Sequence, residues 1–212
     1  YHQIKSENAL KLVPTVRRFA EHARSALTKV LLLELLKGQN KDLEEISQRD
    51  PLTGLHNRRY FGNRIELDIK TVLEKRHSHS LTLDEKSHQN LIFFTLDIDH
   101  FKTVNDTYGH AAGDRILIEV TSIIKQAFRD NDFVIRWGGE EFLMVARFAS
   151  RLKATEIAER VRKTIAEHTF DLGNGTVINK TCSLGFVPFP LYDKYPSTIT
   201  WADIVVLADQ CL

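Results

Sequence analysis

The sequence predicts an α+β domain, a sheet with helices packed on one face, preceded by a long N-terminal helix. Three observations predict it. Leu91-Ile92-Phe93-Phe94-Thr95-Leu96 has the length and composition of a buried strand. Gly138-Gly139 separates two apolar runs, as the turn of a hairpin does. Amphipathic helical patterns alternate with these strands.

The elements follow in chain order. Residues 1–49 are rich in helix formers, and Val16, Phe19, Ala23, Ala26, Val30 and Leu33 recur at steps of three and four. That is a heptad seam, and it predicts a coiled-coil stalk joining two chains. The phase shifts beyond Lys37 before Leu43 and Ile46 resume, as at a stutter or stammer. One amphipathic helix lying on its own domain is the alternative. Asp50-Pro51-Leu52-Thr53-Gly54 ends the helix, since proline disfavours helix in the residue before it. The expected division is a stalk over 1–49 and a globular domain over 50–212.

Asn57 reads as the N-cap of a helix from about Arg58 to Leu73. Residues 75–90 are polar, and the irregular spacing of His77, His79 and His88 predicts a solvated loop. The strand from Leu91 ends at Asp97. A helix is expected from about Gly113 to Phe128. Phe133-Val134-Ile135-Arg136 and Glu141 to Arg147 form the hairpin arms. Ala154, Ile157, Ala158, Val161 and Ile165 mark one face of a helix over 152–168. Strands at about 175–179 and 181–187 follow, then a helix starting near Thr200.

A formal net charge of +1 gives no field that would draw nucleic acid or an anionic membrane. Cys182 and Cys211 lack metal-ligand or disulfide spacing, which fits thiols in a reducing cytoplasm. No apolar run reaches the ~18–20 residues of a membrane span. The chain begins at Tyr1 rather than Met, so a fragment is expected, with a sensor or inner-membrane anchor conceivable upstream in the parent.

The chemistry concentrates in two stretches. Asp97 ends an apolar strand, and Glu140 and Glu141 follow the diglycine. A carboxylate in such a place is costly unless paired or metal-bound. If the hairpin lies beside the first strand, three acids converge and demand a hard cation, Mg²⁺ or Mn²⁺. A tight hairpin with solvated acids is the other reading. Lys102, Asn105, His110 and Asp114 lie between the two stretches.

Gly138-Gly139-Glu140-Glu141-Phe142 resembles the namesake motif of the GGDEF family of diguanylate cyclases, in its GGEEF form. Asp97-Ile98-Asp99-His100-Phe101-Lys102, with Asn105-Asp106, Gly109-His110 and Gly113-Asp114, is similar to a second family stretch. Asp50-Pro51-Leu52-Thr53-Gly54-Leu55 and Ser183-Leu184-Gly185 resemble its entry motif and a late strand. The four lie in the family's order over about 50–212.

The resemblance implies a palm-like, ferredoxin-like antiparallel sheet similar to nucleotidyl cyclases. It implies condensation of two GTP into cyclic di-GMP and two pyrophosphates between two facing domains. By residue match, Asp97, the Ile98 carbonyl and Glu140 hold Mg²⁺. Glu140 is also the expected general base, with Glu141 a second acid. Lys102 stabilises phosphate charge. Asn105 and Asp114 read guanine, and His110 lines the site. A carboxylate accepts from guanine N1–H and the 2-amino group, which adenine cannot supply. Arg129-Asp130-Asn131-Asp132 matches the R-x-x-D of the family's inhibitory product site, where arginine forks onto guanine.

One departure stands out. The family's last helix continues with basic residues beyond an A-D-x-A-L-Y-x-A-K-like stretch. Ala202-Asp203 and, more closely, Ala208-Asp209 are counterparts of its A-D, and the chain stops at Leu212. Weak GTP binding by this fragment is therefore expected. A silent GTP- or cyclic-di-GMP-sensing or dimerisation module is the rival reading, although such modules usually lack the acids present here. A cyclase acting on one nucleotide is opposed by Asp114 and the hairpin.

Overall fold

The computed structural model describes residues 48–77, 89–173, 175–192 and 199–212, together with 17, 22, 24, 27–32 and 34. The chain separates into two compact units, Tyr1–Ser47 and Gln48–Leu212. Residues 17, 22, 24, 27–32 and 34 are helical and exposed, Val30 among them. Val16, Phe19, Ala23, Ala26 and Leu33 lie outside the described residues, as do Leu43, Ile46, His79 and His88.

The second unit runs β1 (His56–Asn57), α1 (Arg58–His77), β2 (Asn90–Ile98), α2 (Phe101–Tyr108) and α3 (His110–Ala127). β3 (Phe133–Arg136), β4 (Glu141–Ala149), a 3₁₀ turn and α4 (Ala154–Glu167) follow. β5 (Thr169–Gly173), β6 (Thr176–Asn179), β7 (Cys182–Phe189) and α5 (Trp201–Asp209) complete it. The main sheet has the order β1-β3-β4-β2-β7, with β5 and β6 as a separate hairpin. Its pairings are antiparallel except for β1 beside β3.

β2 is an interior strand, paired with β4 on one side and β7 on the other, and its residues alternate between two cores. Ile92, Phe94, Leu96 and Ile98 pack with Ile116, Leu117 and Val120 of α3 and with Val161 and Ile165 of α4. Leu91 and Phe93 pack with Phe61 and Ile65 of α1 and with Ile204 and Ala208 of α5. Helices thus cover both faces, not the single face expected from sequence. The cause is legible in hindsight: β2 is apolar at successive positions, as a strand buried on both sides must be.

Local chemistry explains most boundaries. Asn57 Oδ1 accepts from the amides of Arg59 and Tyr60 at 3.1 and 3.2 Å, the predicted N-cap. α1 continues to His77, past the expected end at Leu73, which shortens the predicted polar loop. Thr200 and Asp203 form a reciprocal capping box at the start of α5, which gives Asp203 a structural task. α2 was not foreseen. It begins after His100, at φ 54°, and ends at Gly109, at φ 83°, which breaks one helical stretch into two. Cys182 is buried and Cys211 exposed, and both are free thiols.

Candidate active site

The register places the acids. Asp97, near the end of β2, lies opposite Glu141 on β4 and Ser183 on β7. Glu140 stands one residue earlier, in the hairpin turn. The turn is closed by the Trp137 and Gly138 amides, which donate to the Glu141 carbonyl at 2.9 and 3.2 Å. A Cβ at position 138 would stand 2.3 Å from Glu141 Oε2, so glycine there lets the carboxylate fold over the turn.

Arg136 fixes this hairpin to the start of the domain. Its Nη2 donates to the Gly139 carbonyl at 2.8 Å, and its Nη1 reaches both Asp50 oxygens at 2.9 and 3.0 Å. Burial raises the Asp50 pKa, but bonds from Thr53 and Arg136 outweigh it and hold the carboxyl below its ordinary value. Asp50-Pro51-Leu52-Thr53-Gly54 therefore does more than stop a helix.

Asp97 is electrostatically uncomfortable. Burial first, then repulsion from Glu140, Glu141, Asp99 and Asp209, pushes its pKa up to about 6. Glu140 acts on it most strongly of these charges. The predicted pair at 97 and 140 is thus brought together at one end of the sheet, with Ile98 beside it. Among the described residues no three His, Cys, Asp or Glu side chains enclose an ion position. Two carboxylates and a carbonyl nonetheless fit a hard cation that keeps places for phosphate and water.

Asp99 behaves oppositely. Thr181 Oγ1 and Ser183 Oγ donate to its two oxygens at 2.5 and 2.9 Å. Against the effect of burial, these bonds lower its pKa. Ser183, seen in sequence only as part of Ser-Leu-Gly, is a latch that ties the end of β2 to β7.

The predicted base-reading residues meet at the junction of α2 and α3. A Cβ on Gly113 would lie 2.1 Å from Asn105 Oδ1, so the amide rests directly over the glycine preceding Asp114. Lys102, His110 and Asp114 are exposed on these two helices. Arg129 and Asp132 are not part of this group. They lie beyond the other end of α3, an 18-residue helix about 27 Å long. There they line a cavity of about 540 Å³ with Arg49, Lys125 and Arg147. Asp132 accepts from the Arg129 and Arg147 amides, both at 2.9 Å.

Sequence reasoning missed Lys180. It is half-buried, and burial lowers its pKa against the pull of Asp99 and Glu140. It also left unread the functions of Asp50, Arg136 and Asp99. Their partners lie up to 86 residues away, and no short-range pattern signals them.

Comparison with known proteins agrees with this geometry. Residues 47–211 match the family model described as "Diguanylate cyclase, GGDEF domain". Diguanylate cyclase A of Treponema denticola is 33% identical over 168 residues, covering 79% of this chain and 43% of that protein. The chain therefore spans less than half of that relative. The GGDEF domain of TpbB (YfiN) from Pseudomonas aeruginosa superposes with a TM-score of 0.63 at 28% identity, covering 77% of this chain and 85% of that one. The active GGEEF domain of a diguanylate cyclase from Vibrio cholerae gives a TM-score of 0.55 at 27% identity, covering 73% and 86%. With an α+β fold of this topology, these motifs and a match over most of its length, the chain belongs to the GGDEF diguanylate cyclase domain family.

Proposed function

We propose that this chain is the catalytic domain of a diguanylate cyclase that condenses two GTP into cyclic di-GMP. The observation that carries the reading is the strand register, which sets Asp97 opposite Glu141 and beside the Glu140 charge at the end of β2. The 3′-oxygen of one GTP bonds to the α-phosphorus of the other. The bond to the bridging oxygen breaks, and pyrophosphate leaves with its electrons. Repetition in the opposite sense closes the ring.

Asp97, the Ile98 carbonyl and Glu140 would hold Mg²⁺, or Mn²⁺ in its place. When bound, the ion neutralises phosphate charge and lowers the pKa of the attacking hydroxyl. Glu140 takes that hydroxyl's proton, and Glu141 supplies further negative charge to the site. Lys102 faces the charge that grows on the phosphates. Asn105 and Asp114 read the guanine edge, with His110 at the rim. Mass spectrometry after incubation with Mg²⁺ and either GTP or ATP tests the reading. Cyclic di-GMP from GTP alone is expected. A monocyclic nucleotide, or no product from a chain that binds GTP, would sink it.

Two active domains must face each other to align hydroxyl with phosphate. The reading here is a homodimer joined through the N-terminal helix, which raises the effective concentration of the partner site. Leu27, Val30 and Leu31, at i, i+3 and i+4, are exposed apolar side chains on one side of the helix that a second helix would cover. Val30→Glu with Leu33→Glu is expected to yield a monomer by light scattering and to abolish cyclic di-GMP synthesis. A fully active monomer would contradict this.

The cavity at Arg129 suits an inhibitory product site, because clustered cations there match a dianionic dinucleotide. Arg129→Ala is expected to relieve product inhibition about tenfold or more while leaving the initial rate unchanged. Progress curves with added cyclic di-GMP measure this. Arg129 is the informative position, because Asp132 also holds backbone amides in place.

No helix among the described residues is long and apolar enough to cross a membrane. We place this domain in the cytoplasm, where GTP is available, with any sensor or inner-membrane anchor supplied elsewhere in the parent protein.

A further inference from the structure

Lys180 is a cation that the proposed reaction has not yet used. It is half-buried between β6 and β7. Among the described residues it makes neither an ion pair nor a hydrogen bond. Asp99 and Glu140 attract it without closing an ion pair, so partial burial of the ammonium is not fully compensated. A ligand that supplies the missing acceptor offsets that penalty.

Its position follows from the strand register. Ile98 lies opposite Cys182, and the Asp99 amide donates to the Thr181 carbonyl at 3.0 Å. Lys180, the residue before Thr181, therefore stands just past the end of β2, within reach of the Asp99 and Glu140 charges. Side chains alternate along an extended chain. Thr181 and Ser183 turn toward Asp99. Lys180 and Cys182 therefore turn to the other face, where Cys182 is buried with Ile98, Phe101 and Val104. That face carries α2 and α3, and with them Lys102, Asn105 and Asp114. Phe142 enters the same cluster, and Glu140 precedes it by two residues. Lys180 and Glu140 thus flank the end of β2 from the β7 and β4 sides.

We propose that Lys180 is a second phosphate-binding residue of the nucleotide site, paired with the outer phosphates of GTP opposite Lys102. The inference rests on the proposed function. A divalent ion and Lys102 leave part of the triphosphate charge unmatched, and the departing pyrophosphate carries that charge. A fixed ammonium on the β7 side supplies the remainder without approaching the guanine pocket.

The test is calorimetric binding of a non-hydrolysable GTP analogue and of GMP to the full 212-residue chain and its Lys180→Ala and Lys180→Arg variants, with folding checked by thermal melting. Lys180→Ala is expected to weaken the triphosphate analogue about tenfold or more while GMP binding stays within about twofold. Lys180→Arg is expected to retain most triphosphate affinity, since the charge is kept. Unchanged triphosphate binding in Lys180→Ala, with a wild type that binds well, overturns the assignment and leaves the proposed reaction standing. Equal loss of both ligands overturns it too, because the residue would then be structural. A wild-type chain that binds neither nucleotide at ligand concentrations up to about 1 mM, where even the weak binding expected of it would register, overturns both readings.

Discussion

Asp97→Asn is expected to abolish cyclic di-GMP formation and, at neutral pH, to raise the melting temperature of the metal-free protein. The two effects share one cause. Four neighbouring carboxylates oppose the Asp97 charge, and the described residues give its side chain no hydrogen bond in return. The sign follows from the raised pKa. Below about pH 4 the group is protonated folded or unfolded and carries no penalty. As pH rises toward about 6, the unfolded chain has already lost a proton that the folded chain still holds, so stability falls. Above that the penalty is complete. A two-unit shift would correspond to roughly 3 kcal/mol, and solvent screening of this half-exposed group reduces it to about 1 kcal/mol. Calorimetry at pH 7.5 should show the variant melting about 2–4 °C higher, with the difference vanishing near pH 4. Added Mg²⁺ should stabilise the wild type and not the variant. Activity should drop by about 10³-fold or more, in the range of lost electrostatic stabilisation. Wild-type turnover, or a lower melting temperature at pH 7.5, would contradict the assignment.

Gly185→Ala is expected to be the most damaging of the single-methyl changes in the sheet. Gly185 is buried on β7 opposite Thr95, under the end of α5. A Cβ there would stand 2.1 Å from the Ala208 carbonyl oxygen and 2.9 Å from the Cys211 carbonyl carbon. Both are backbone atoms, so no side-chain rotation relieves the clash and the helix must lift. Overpacking of this kind costs about 3 kcal/mol. For a domain of this size that is about 6–12 °C in melting temperature. Gly139→Ala is the control, since its added methyl meets nothing within 4 Å. Its expected change in stability is within about 0.5 kcal/mol. Equal melting of the two variants would show that α5 does not pack as described.

Legibility in the sequence tracked the range of the interaction. β3 appears at the predicted residues, and the Asn57 cap and the Gly138-Gly139 turn hold as expected, because neighbours along the chain decide them. β1 escaped notice because a two-residue strand has no periodicity to read, and it is defined by pairing with the distant Ile135 and Arg136. α2 escaped because the positive φ at His100 and Gly109 delimits it, and histidine is not an expected residue there. β5 depends on β6 in the same way. Within the site, the acids were found because buried charge at a strand end needs a reason. The Asp50–Arg136 and Asp99–Ser183 pairs were not, because contact across 86 and 84 residues leaves no local trace.

The double coverage of β2 has a consequence for how the domain breathes. Amides of a strand flanked by paired strands and roofed by helices on both sides exchange with solvent only when the whole unit opens. Deuterium uptake along Ile92 to Leu96 should therefore be as slow as global unfolding allows. Asp97 stands where that protection ends, carried on a backbone clamped on both edges yet facing the water through which a nucleotide must arrive.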